Sequence, residues 1–404
     1  MARMPVAMDE AITDPFGVLA RARAAGGFTD IGMGTGLTGV ARHDTVRTLL
    51  TDSRLHANFT DFLHTLGVTS GPFYDWMAVS PLNRDGADHQ RWRALMTKTF
   101  TPRRVEEIRP FLAASAQELV AGFAARGACD FVAEFADVYP SLGLCELIGV
   151  PAEDRDRFRG WANTIGLGFS PSGLMQSITA IDTALTHLLE YTGTLAARRR
   201  VEPRDDLVSR IAIAGHEDGW SDFEVHGFIA GLVFAGHETT KNQLGWTVAV
   251  LSEQPAIWDA VADGRLEAAA VVEEVLRYRS TATNVGRTVT APVEIDGERL
   301  EIGERVLLSL WSANHDETVY PRPDVIDPVA NGDLPHLAFG YGAHHCLGAA
   351  LARAELQEGL AALAREIECP TVGAGAEWKP PLGITGPERL PITFVARSVT
   401  SRGR

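Results

Sequence analysis

The sequence predicts a mainly α fold, a helical mass around one long central helix with a small β region. Three observations predict it. Amphipathic helical blocks fill most of residues 87–279. One of them, starting at Ser221, runs unbroken for about 30 residues, or roughly 45 Å, enough to cross a whole domain. From residue 288 the pattern changes to alternation, the period of a strand.

In chain order, residues 1–26 read as a loop and a short helix, and 26–41 as a small strand pair. Residues 56–85 are dense in Gly, Pro and aromatics. Helical blocks then run from 87 to 197, broken at Pro102, Gly127, Pro151 and 166–173. Arg198–Asp206 and Ala214–Trp220 read as exposed loops. Ser221 with Glu224 three residues on is a capping box, the start of the central helix. Residues 265–279 form another helix. Asp296-Gly297 inside an alternating run marks a hairpin. A helix over 347–367 and a final strand within 385–396 complete the chain, which reads as one domain, 1–404.

The chain has 404 residues, 45% apolar and 22% charged. This composition excludes disordered, collagen-like and disulfide-stapled classes. A net charge of −15 argues against nucleic acid and against an anionic membrane surface. Four scattered cysteines, Cys129, Cys145, Cys346 and Cys369, suit a reducing cytoplasm. No run of 18 apolar residues exists, so a soluble protein without a membrane anchor is expected.

The most informative stretch is Phe339-Gly340-Tyr341-Gly342-Ala343-His344-His345-Cys346-Leu347-Gly348. Gly340 and Gly342 permit a tight turn, and Gly348 allows close approach of a flat ligand. Cys346 precedes a helix whose free N–H groups favour a thiolate, a good metal ligand. Spacing alone leaves a small buried cysteine beside a glycine turn equally open. A zinc set from His336, His344, His345 and Cys346 matches no familiar spacing.

A second segment, Ala235-Gly236-His237-Glu238-Thr239-Thr240, puts an acid and hydroxyls in the middle of an apolar helix, where they need partners. Glu274 and Arg277 share one helix face, as do His89 and Arg93.

The cysteine stretch resembles the haem-binding loop of the cytochrome P-450 family, F-G-x-G-x-H/R-x-C-x-G, at every fixed position. The likeness extends from about Pro15 to Phe394. It implies a triangular helical domain, haem b with Cys346 as axial thiolate, and dioxygen as co-substrate. His89, Arg93, Arg287 and His344 would hold the propionates, and Ala235, Gly236, Phe339, Gly340 and Gly348 would border the haem. Glu238 and Thr239 would form the acid–alcohol pair that relays protons. The family's Glu–Arg ion pair matches Glu274 and Arg277, but its third partner, an Arg, falls at Ala330. Arg322 is a candidate substitute.

By the same resemblance a pocket of Phe59, Phe62, Trp76, Phe169, Met175, Ile229, Val233, Asn284, Val285 and Ile384 would take a lipophilic or aromatic-bearing small molecule. The expected activity is monooxygenation of a C–H or C=C bond in specialised metabolism. Oxidative C–C or C–N coupling or ring closure on the same fold is an alternative, and a silent haem protein that recruits a partner is another. With no flavin or iron–sulfur pattern, electrons would come from a ferredoxin and its reductase. They would reach a monomer through a basic face of Arg84, Arg91, Arg103, Arg104 and Arg353.

Overall fold

A computed structural model describes residues 3–33, 36–331 and 334–397. The central helix, Asp222–Ser252, begins at the expected box: Ser221 Oγ accepts the Glu224 N–H at 3.2 Å, and the Glu224 carboxylate accepts the Ser221 N–H at 3.0 Å. It is buried on nearly every face because helices pack all around it. These include Tyr139–Ile148, Arg155–Gly166, Pro171–Val201 and Ala349–Glu366. Helices Gly86–Thr99 and Pro102–Ala124 open the helical mass, and Ala268–Tyr278 and the later Ala349–Glu366 complete it.

The β region is a six-stranded sheet in the order Met4–Val6, Phe28–Ile31, Leu37–Val40, Arg305–Ser309, Asn284–Val289, Leu55–His56. It has its own core, with Val40, Leu49, Val306 and Leu308 buried. Asp296 and Gly297 turn the hairpin Val293–Ile295/Glu298–Leu300 with φ of 49° and 77°. Two positive φ values match the right-handed twist of the paired strands.

Three expectations change. A strand, Met4–Val6, precedes the first helix and pairs in parallel with Phe28–Ile31. Arg198–Asp206 is an exposed loop only from residue 202 to 205. The helix runs to Val201, and Arg199 turns inward to Asp206 at 2.5 Å and to the Gly149 carbonyl at 3.0 Å. Charge suggested solvent there, but a paired guanidinium tolerates burial. Ala214–Trp220 is mostly helical, since Leu207–Glu217 is a helix whose face carries buried Val208, Ile211 and Ala212. Among the described residues, no helix is long and apolar enough to cross a membrane.

Candidate active site

The cysteine loop is closed by its own backbone: the Cys346 N–H donates to the Phe339 carbonyl at 2.8 Å. Gly340 and Gly342 have φ of 69° and 74°, the left-handed region that the glycines were expected to supply. Cys346 is exposed, yet protein surrounds it closely enough that burial pushes its thiol pKa up. An accessible group inside dense protein lines a cleft. The N–H groups of Gly348 and Ala349, at the start of helix Ala349–Glu366, donate to its sulfur and favour the thiolate, with Arg93 and Arg353 adding positive charge.

Four basic side chains gather near the loop. His89 and His344 lie ring to ring, 4.0 Å between centroids. Burial, then the charge of His344, lowers the His89 pKa to about 4. His344 Nε2 meets Asp85 Oδ1 at 2.8 Å. Burial pushes the Asp85 carboxyl up, but His344 and the Ala57 N–H outweigh it and hold it below its ordinary value. Arg287 is buried in strand Asn284–Val289, and among the described residues its one hydrogen-bond acceptor is the Gly286 carbonyl at 2.8 Å. The charge of Asp85 reaches it, but among the described residues no carboxylate hydrogen-bonds it, so this buried guanidinium still has donors for an anion. Burial lowers its pKa. The set suits the carboxylates of a haem edge.

On the central helix Ala235 is exposed and Thr239 half-buried, although most of the helix is buried. The two are four residues apart and share one face, which therefore opens on a cleft. Thr239 Oγ1 donates to the Ala235 carbonyl at 2.7 Å. Glu238 points elsewhere. It is buried against helix Arg155–Gly166, with Lys241 Nζ 2.5 Å from Oε2 and Lys379 Nζ bonded to Oε1. Burial pushes its carboxyl up, but Lys241, Lys379 and His237 hold it down at about 2. Among the described residues no hydrogen bond joins Glu238 to Thr239, so the acid and the alcohol are neighbours without contact.

The pocket residues divide. Phe59, Phe62 and Phe169 form one aromatic cluster: Phe59 lies 5.4 Å from Phe62 and 5.3 Å from Phe169. Sequence reading missed two members. Phe234 stacks on Phe169 at 4.0 Å, and Phe73 meets Phe169 at 5.9 Å. Phe234 directly precedes Ala235, which was the available signal. Asn284 and Val285 are half-buried in their strand, and Ile384 bridges to Ala282 beside them.

Of the other four, Trp76 meets the cluster only through Phe73, 5.9 Å between ring centroids. Trp76 is a core brace, its indole N–H donating to the Gly227 carbonyl at 2.7 Å. Ile229 and Val233 are fully packed. Met175 is 58% exposed and lines an outer groove with Trp161 and His187.

The expected basic face is largely matched by local acceptors. Arg84 pairs with Glu224, Arg103 with Glu107, Arg104 with Glu107 and Asp205, and Arg353 with Glu273, while Arg91 donates to the Asp218 carbonyl.

A model of the family described as Cytochrome P450 matches residues 268–379. Luteothin monooxygenase from Streptomyces thioluteus is 34% identical over 358 residues, 88% of each chain. Nocardicin C N-oxygenase from Nocardia uniformis subsp. tsuyamanensis is 35% identical over 368 residues, 88% of this chain and 89% of its own. The crystal structure of CalO2 superposes with a TM-score of 0.87 at 28% identity, covering 96% of this chain and 97% of that one. Likeness along nearly the whole length, together with the cysteine loop and its cations, shows that this chain belongs to the cytochrome P450 family, monooxygenases that use haem b, dioxygen and redox partners to oxidise small molecules.

Proposed function

We propose that this chain inserts one oxygen atom of dioxygen into a C–H or C=C bond of a lipophilic or aromatic-bearing small molecule in specialised-metabolite biosynthesis. It works as a single-domain cytoplasmic monomer fed by a ferredoxin and ferredoxin reductase. The observation that carries the reading is the Cys346 sulfur, open to a cleft and supported by the N–H groups of Gly348 and Ala349.

Cys346 would hold haem b, which when bound would supply the dioxygen chemistry that thiolate ligation favours. The protein positions and protects it. Arg287 and Arg93 would hold the propionates with charge, and His89 and His344 would add hydrogen bonds. Gly340, Gly348, Phe339 and Ala235 would leave room for the flat macrocycle, whereas Gly236 admits Leu144, which an added Cβ would meet at 2.9 Å. Thr239 holds a hydroxyl on the open face of the central helix, where it can pass a proton once it leaves the Ala235 carbonyl. Glu238 supplies the charge behind it. General acid assistance of this kind contributes about 10²–10⁴-fold. Phe59, Phe62, Phe169, Asn284, Val285 and Ile384 seat the substrate and exclude water. The names of the two relatives, a monooxygenase and an N-oxygenase, support oxygen insertion.

The test is spectroscopic and then chemical. The ferrous–CO complex of the haem-loaded protein should show the red-shifted Soret band of thiolate ligation, and Cys346→Ser should lose it. A globin-like band in the wild type would overturn the reading. Ligands from a metabolite panel that shift the resting spectrum should yield products with one added oxygen atom. Products that only lose hydrogen would replace insertion with coupling.

A further inference from the structure

We propose that Lys379 is a positioning residue for proton delivery, tying the Glu238 carboxylate to the loop that forms one wall of the substrate seat. The inference rests on the reading of Glu238 as the acid of the acid–alcohol pair.

Glu238 is 2% exposed in the middle of the central helix. A carboxylate there stays ionised only with counter-charges and hydrogen bonds in place. One counter-charge, Lys241, comes from the same helix and turns with it. Its ammonium also reaches Asn163 Oδ1 at 2.7 Å and lies 3.8 Å from Asp137, which faces Arg159 at 3.5 Å and His237 at 3.4 Å. The other counter-charge is remote in sequence. Lys379 Nζ bonds Glu238 Oε1 and lies 3.3 Å from Asn242 Oδ1, while Asn242 Nδ2 donates to the same Glu238 oxygen at 3.2 Å. Lysine, acid and amide close a small ring.

The backbone of Lys379 is equally committed. Its N–H donates to the Gly386 carbonyl at 3.0 Å, and its carbonyl accepts the Thr385 hydroxyl at 3.0 Å. The loop between them is stapled to residues 281–283. Thr385 N–H donates to the Thr281 carbonyl at 2.8 Å, and Thr283 N–H donates to the Gly383 carbonyl at 2.9 Å. Ile384 pairs with Ala282. This wall continues directly into Asn284 and Val285. Gly386 presses on Asn242 so closely that an added Cβ would come within 2.5 Å of the Asn242 Cβ. Any shift of the wall as a substrate seats therefore moves Lys379 and Asn242 with it, and these set where the Glu238 carboxylate points.

The test compares Lys379→Met, Lys379→Arg, Glu238→Gln and Glu238→Gln/Lys379→Met in the haem-loaded enzyme with a surrogate ferredoxin system. The readouts are the share of reducing equivalents lost as hydrogen peroxide, the solvent deuterium isotope effect on turnover, and the denaturant midpoint. Lys379→Met should raise the peroxide share several-fold and enlarge the isotope effect. Lys379→Arg, which keeps charge and reach, should restore both. The double variant should match Glu238→Gln alone, because without the carboxylate the lysine has nothing to position. This comparison stands even if Lys379→Met folds poorly, since the double variant buries no unpaired carboxylate. Wild-type coupling in Lys379→Met, or additive losses in the double variant, would overturn the inference. Wild-type coupling in Glu238→Gln would overturn the reading of Glu238 as well.

Discussion

Asn331 donates its side-chain amide to Glu274 at 2.9 Å, and the same carboxylate oxygen accepts the Asp327 N–H at 2.9 Å. Arg277 grips both oxygens of Glu274 at 2.8 Å and spends its other N–H groups on the carbonyls of Asn314, Pro323 and Val325. Glu274 and Arg277 are each 1% exposed. The place expected for a third charge is thus taken by a neutral amide one residue beyond Ala330, while Arg322 pairs with Asp327 instead. Removing either charge leaves the other buried alone, so Glu274→Ala or Arg277→Ala should cost about 3–5 kcal/mol. Asn331→Ala should cost about 1–3 kcal/mol. Denaturant midpoints decide, and an Asn331→Ala midpoint equal to wild type removes Asn331 from the network.

Thr239→Ala should divert reducing equivalents to hydrogen peroxide, while Thr239→Ser should retain most of the coupling. The hydroxyl is the group at stake, and either residue can rest it on the Ala235 carbonyl. Peroxide assays at saturating substrate settle it, and unchanged coupling in Thr239→Ala would deny the hydroxyl its role.

Acid should destabilise this protein from about pH 6.5 downward. Burial, then the charge of Arg279, depresses the His315 pKa to about 3, with Arg277 and Arg23 adding to the effect. The Trp311 carbonyl, 3.0 Å from Nδ1, opposes the shift. The unfolded chain therefore binds a proton between about pH 6.5 and 3 that the folded chain refuses, and stability falls as pH falls through that window. Glu238 and Glu273 are both held at about 2, so their stabilisation is lost only below about pH 4.5. His315→Asn should flatten the slope of the unfolding midpoint between pH 6.5 and 4.5. An unaltered slope would assign it to other groups.

The parallel stack of Phe169 on Phe234, with ring planes 11° apart, should govern pocket size. Phe234→Ala should cost about 3–5 kcal/mol as a core truncation. It should also tighten binding of bulky azoles relative to small ones, read by spectral titration of a size series. An unchanged ranking would place the stack outside the pocket.

The cysteine loop, the capped central helix and the hairpin at Asp296-Gly297 were legible in the sequence because each depends on local chemistry. Glycine alone adopts those loop angles freely, a serine and a glutamate three apart close a cap, and period distinguishes strand from helix. The chemistry of Cys346 was legible for the same reason, as its sulfur takes support from N–H groups two and three residues along. Tertiary structure decided what depends on distant parts of the chain. It brought Lys379 to Glu238, set Asn331 against Glu274, buried Arg199 on Asp206, and matched most of the basic face with carboxylates. It also buried Ile229 and Val233 and set Phe234 against Phe169. A charge or a ring in a sequence carries no record of what will lie opposite it; only packing supplies the partner, and the partner determines whether the group is counter-ion, wall or core.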